Sequence, residues 1–234
     1  MNQTLTHNSK LIYTLATIYF LTMTVGFLLI LQTEFPQIGF DNDLVTIVEA
    51  FRESRSSVIL SHLLLGVGFF LFFPLARHIS DSIGLDNNSI IEGLLNASLA
   101  LRILPWLGAL PLYLFLDAQS LSDLSAGSLT WNGLFLLINT LGEDIAVNLL
   151  TGIWAIFASI AMWRRSTLML HRSVAIVGGI LGALFVVASG DLIGVDLIQA
   201  GNPIATLISP LLRVWIIATA IMLVRQPIVR PISQ

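Results

Sequence analysis

The chain has no cysteine among its 234 residues. That excludes disulfides, thiolate catalysis and cysteine-based zinc or iron–sulfur sites. Charge is scarce as well. Only 11% of the residues are Asp, Glu, Lys or Arg, against ~25% in a soluble domain, and a net charge of −3 offers no basic surface for nucleic acid. The four histidines, His7, His62, His78 and His171, include no pair at the i, i+4 spacing of a helical metal site, so neither zinc nor di-iron is expected. There is no G-x-S-x-G, no Walker lysine and no G-x-G-x-x-G, so neither a cofactor nor a nucleotide is expected. What the chain has instead is apolar surface. Hydrophobic residues make up 56% of it and the mean hydropathy is +0.87, a composition suited to lipid.

Crossing a ~30 Å hydrocarbon core takes ~20 mostly apolar residues in a helix. Six stretches meet that requirement, near 11–31, 57–76, 91–115, 143–163, 173–190 and 204–224. The first is too long for the ~7–15-residue core of a cleaved signal, and no A-x-A site follows it in "QTEFPQIGF", so it reads as a retained span. The expected fold is an all-α integral membrane protein, a bundle of six transmembrane helices with short loops, with residues 1–234 forming a single polytopic membrane domain.

Orientation follows from the basic residues, which resist translocation. With both termini cytoplasmic, the inner side holds Lys10, Arg77, Arg164, Arg165, Arg172, Arg225 and Arg230, seven of the eleven, while the outer side holds only Arg52 and Arg55. The outer loops collect nine acids from Glu34 to Asp196. In one of them, "DLVTIVEAFRES", Leu44, Ile47, Val48 and Phe51 share one helical face, which predicts a short amphipathic helix on the outer surface. The segment "TWNGLFLLINTL" (130–141) would extend the fourth span to about 50 Å if it were one helix. A break or re-entry near Gly142, or an outward projection, is expected there.

Acids beside the spans have capping explanations. "SIIE" (Ser89–Glu92) and "TLGE" (Thr140–Glu143) match the S/T-x-x-E capping box, although Asp144 makes the second unusually acidic. His62, in the outer part of the second span, reads first as a packing residue and second as a functional one. The glycines of "LLGVGFF" and "VGGILGALF" read as points of close helix approach.

Two arginines stand apart. "NASLALRILPWLGALPLYLF" (96–115) and "ISPLLRVWIIATAIMLV" (208–224) each place one arginine, Arg102 and Arg213, about midway through a span. A charge there costs from ~2.5 kcal/mol upward unless it finds a partner or water. Their surroundings match, with Ser four before, Leu one before and a β-branched residue one after. In antiparallel spans this hints at the inverted three-plus-three plan of transporters. Pro105, Pro111 and Pro210 lie nearby and release backbone carbonyls that need protein or water. Two cations at matching depth invite an anion, and Glu143, Asp144 and Asp191 lie closer to the outer side.

The span order, "LLLGVGFFLFFPLARHI" at the end of the second span, the arginine within the third and "HRSVAIVGGILGAL" opening the fifth together resemble a bacterial family of six-span membrane proteins known as domain of unknown function four-three-eight-six. The chain departs from that pattern at Leu170-His171-Arg172, where the family often has Pro-x-Trp, and at Arg213, where it often has an acid. The resemblance implies a location in the bacterial cytoplasmic (inner) membrane and no particular activity. The residues themselves point to binding or moving a small or lipid-like anion, with Arg102, Arg213, His62, Glu143, Asp144 and Asp191 as candidate ligand-binding residues and no catalytic set. The alternatives are an accessory or regulatory membrane protein with a structural polar core, or a lipid-modifying enzyme using His62, Glu143 or Asp144 as acid–base groups. The expected partners are the lipid bilayer and an anionic lipid or small anion.

Overall fold

The computed structural model describes residues 2–33, 44–85, 88–118, 140–190 and 203–226, and the side chains of 9–33, 49–85, 88–103, 145–190 and 207–226. The apolar runs fold as helices: α1 (Asn2–Leu31), α2 (Leu44–Ser82), α3 (Ser89–Ala118), α4 (Thr151–Arg165), α5 (Met169–Ala188) and α6 (Pro203–Arg225). There are no strands among the described residues. Five helices are long and apolar enough to cross a membrane: Ser9–Leu31, Glu49–Ser82, Ile145–Arg165, Met169–Ala188 and Leu207–Arg225. The protein is an all-α membrane protein.

Two expectations are corrected. The outer amphipathic segment is not a separate surface helix, because α2 runs unbroken from Leu44 to Ser82. "FRESRSSV" contains neither Gly nor Pro to end a helix, and Phe51 and Val58, on either side of the supposed break, are both fully buried. The other correction concerns Glu92. Asn88 caps α3 instead, its Oδ1 accepting the backbone N–H of Ile90 at 3.0 Å and of Ile91 at 3.4 Å. Asparagine caps at least as well as serine. Glu92 is thereby released to pair with Arg77 of α2 at 3.0 Å, in an exposed bridge worth ~0–1 kcal/mol.

The fourth span departs from α-helical geometry where a break was expected. Thr140–Leu150, which includes Gly142, is wound as a π-helix that continues directly into α4. Residues 130–139 lie outside the described set. Prolines do not interrupt the other helices: α3 runs through Pro105 and Pro111, and α6 through Pro210.

Between apolar helices in lipid, close packing and hydrogen bonds replace the hydrophobic drive of water. Small residues therefore sit at the tightest pairs, α1 with α2 and α4 with α5. Ser61 Oγ donates to the Gly26 carbonyl at 2.8 Å across the first pair. In the second, a Cβ on Gly182 would lie 2.7 Å from the Gly152 carbonyl oxygen and 3.0 Å from the Ile156 nitrogen. Both obstacles are backbone and cannot swing aside. Gly182→Ala should therefore lower stability in detergent, since overpacking costs ~1–3 kcal/mol and the helix-propensity gain of Ala over Gly returns at most ~1 kcal/mol. Thermal unfolding followed by circular dichroism checks the sign; an unchanged or higher midpoint would show that α4 and α5 can separate freely.

One end of the bundle is tied by cations. Gly84, with φ of 75°, turns the chain after α2, and Arg165 Nη1 donates to the adjacent Ile83 carbonyl at 2.6 Å. Arg225 Nε donates to the Tyr13 hydroxyl at 3.1 Å. The core runs inward from there through Ile79, Trp154, Met162 and Trp215, all buried.

Candidate functional site

Ser98 and Arg102 lie one turn apart on α3, so both meet the same neighbour. That neighbour is the π-helical segment, whose Ala146 carbonyl collects three donors: Ser98 Oγ at 2.9 Å, Arg102 Nη2 at 3.3 Å and Thr151 Oγ1 at 3.0 Å. Arg102 Nη2 also donates to Thr151 Oγ1. Single-turn π distortions occur frequently at functional sites because they re-aim carbonyls, and this longer stretch presents one to α3. The Arg102 guanidinium lies over Phe72, 4.3 Å from the ring centroid, with Phe69 at 5.6 Å. A desolvated contact of that kind is worth ~2 kcal/mol. Arg102 is 5% exposed, and its Nε is buried with no hydrogen-bond partner among the described residues. An N–H in that state invites water or an anion.

Arg213 reaches the same place from α6. The two arginines line one cavity of about 30 Å³ together with Tyr19, Phe72, Thr151 and Ser209. That volume holds about two water molecules. The guanidinium of Arg213 lies 5.6 Å from the Phe27 ring centroid, and Ser209 stands one turn before it, as Ser98 stands before Arg102. Tyr19 is 3% exposed. Measured along the helices, Arg102 is about 20 Å from the start of α3 and Arg213 about 18 Å from the end of α6. Among the described residues that line the cavity there is no carboxylate.

Of the remaining candidates, His62 is not brought to this cavity. His62 lies on α2 ten residues before Phe72, about 15 Å away along the helix, and is not among the lining residues. Glu143 and Asp144 lie on the π-helical segment, with side chains outside the described set. Asp191 lies outside the described residues altogether. The sequence reading missed Tyr19, Phe72, Thr151 and the Ala146 carbonyl. Only the Ser-to-Arg spacing hinted at a polar network, because the other groups meet through tertiary packing. Among the described residues no cluster of His, Asp and Glu could hold a metal ion.

Comparison with protein-family models, curated proteins and solved structures finds no match.

Proposed function

We propose that the chain is a six-span protein of the bacterial cytoplasmic membrane, with both termini cytoplasmic, that holds or passes a small anion between Arg102 and Arg213. One observation carries the reading: two guanidiniums from different helices line a single half-open cavity midway along the bundle. The apolar length of α3 supplies the sixth span, and the basic end formed by Arg77, Arg164, Arg165, Arg172 and Arg225 favours the cytoplasmic side. A guanidinium as buried as that of Arg102 is costly, so a bound anion would convert that cost into affinity. A cavity of about 30 Å³ suits a compact ion better than a phospholipid headgroup.

The test is thermal unfolding of the purified protein in detergent with chloride, nitrate, phosphate or phosphatidylglycerol, against gluconate. At about a hundred times its Kd a bound anion should add ~2.7 kcal/mol. Arg213→Lys keeps the charge but loses the planar fork, so the shift should shrink while folding survives. If no anion moves the wild-type midpoint, the site is structural. A second reading, an accessory protein with a fixed polar core, draws on the bonds Arg102 already makes to Ala146 and Thr151. It expects no anion effect.

A further inference from the structure

The short connection between α4 and α5, with the first turn of α5, buries two polar side chains and exposes three apolar ones in a row. Ser166 is 4% exposed and His171, in the first turn of α5, 1%, with Ser166 Oγ 2.6 Å from His171 Nδ1, while Thr167 is exposed. Ser166 Oγ also accepts the Leu168 backbone N–H at 3.1 Å, and the Ser166 carbonyl accepts Arg172 Nε at 3.1 Å. The apolar residues are turned outward, with Leu168 47%, Met169 79% and Leu170 52% exposed. In water such a run would be unfavourable. At the boundary between headgroups and acyl chains it is stabilising, and that is where a connection between two membrane helices lies.

Beside this apolar tip stands Trp163, 45% exposed, the residue type that favours the headgroup level. The Arg172 guanidinium lies over its ring, 5.4 Å from the centroid. Arg164, next in sequence, is exposed. Among the described residues, neither Arg164 nor the terminal nitrogens of Arg172 pair with a carboxylate. Orientation alone explains cations at this end, but it does not explain an arginine fixed through Nε and stacked on tryptophan, with its outer nitrogens left for a ligand.

We infer that the α4–α5 hairpin is a binding site for an anionic phospholipid, with Arg164 and Arg172 holding the headgroup phosphate, Trp163 packing against the glycerol region and Leu168 to Leu170 entering the acyl layer. Guanidinium matches phosphate in charge and in fork geometry. A headgroup with net negative charge is preferred over a zwitterionic one, whose own ammonium the two arginines repel. The site is separate from the Arg102–Arg213 cavity and stands without it.

The experiment is fluorescence quenching of the full chain in vesicles of phosphatidylcholine containing a minor fraction of brominated phosphatidylglycerol or brominated phosphatidylcholine. Subtracting the signal of Trp163→Phe isolates the Trp163 emission. Brominated phosphatidylglycerol should quench it several-fold more strongly at equal mole fraction. Arg172→Gln and, separately, Arg164→Gln should each weaken that preference about fivefold, equivalent to ~1 kcal/mol per basic residue at an anionic surface. Arg52→Gln, on the far extension of α2, should leave it unchanged. Equal quenching by the two lipids, a preference that survives both arginine variants, or a Trp163 shielded from both lipids as by a second copy of the chain would each overturn the site.

Discussion

Trp154→Ala should lower the unfolding free energy in detergent by about 3 kcal/mol, the largest loss expected of any single truncation in the bundle. Trp154 is 1% exposed and joins three helices. Its ring meets Phe72 of α2 edge-on at 5.6 Å and Trp215 of α6 at 6.0 Å, while its Nε1–H donates to Ser80 Oγ at 3.0 Å. In a soluble core such a truncation costs ~3–5 kcal/mol. Part of that figure is transfer from water, which a lipid-embedded core does not recover, so the lower end applies. Trp154→Phe keeps most of the ring contact and removes the hydrogen bond, which predicts a loss of only ~1 kcal/mol. Because Phe72 lies between Trp154 and Arg102, the alanine variant should also loosen the ring beneath the guanidinium and weaken any anion effect. Circular dichroism melts of the two variants decide it. Equal losses would mean that the hydrogen bond to Ser80, and not the packing, holds this junction.

The helices were legible because length and apolarity suffice to specify them in lipid, where every backbone polar group must be satisfied within its own segment. Helix ends were less legible. Capping depends on which of several adjacent polar residues takes the cap, and in "NNSIIE" Asn88 took it ahead of Ser89, leaving Glu92 to Arg77. The α2 extension was misjudged because an amphipathic pattern reports a face but not whether the helix continues beyond it. The glycine patterns mark close helix approach at Gly68, Gly178 and Gly182, where an added Cβ would lie within 3.0 Å of a neighbouring helix. At the cavity the sequence marked the two arginines by their cost in lipid. Tyr19 and the Ala146 carbonyl left no mark: a buried tyrosine in an apolar run resembles any aromatic, and a carbonyl released by π winding has no residue type of its own.

Arg102→Leu should cost little stability without anion and much more with it. The variant removes a charge that is costly to bury, and replacing such a group by an apolar one is often neutral or stabilising by ~1–4 kcal/mol, provided no partner is stranded. None is stranded here, because the Ala146 carbonyl keeps Ser98 Oγ at 2.9 Å and Thr151 Oγ1 at 3.0 Å. Set against this gain is the lost contact with Phe72, worth ~2 kcal/mol. In gluconate the two terms roughly offset, so the midpoint should stay close to that of wild type. In a saturating binding anion wild type should move clearly ahead, since it gains ~2.7 kcal/mol at about a hundred times its Kd and a site with one guanidinium gains little. Thr151→Val sharpens the comparison. It removes the hydroxyl that both accepts from Arg102 and donates to Ala146 while keeping the charge, so it should destabilise by ~1–3 kcal/mol in either salt. Melts of the three proteins in the two salts are the measurement. If Arg102→Leu unfolds well below wild type in gluconate, the guanidinium is a structural tie and the anion reading loses its main support.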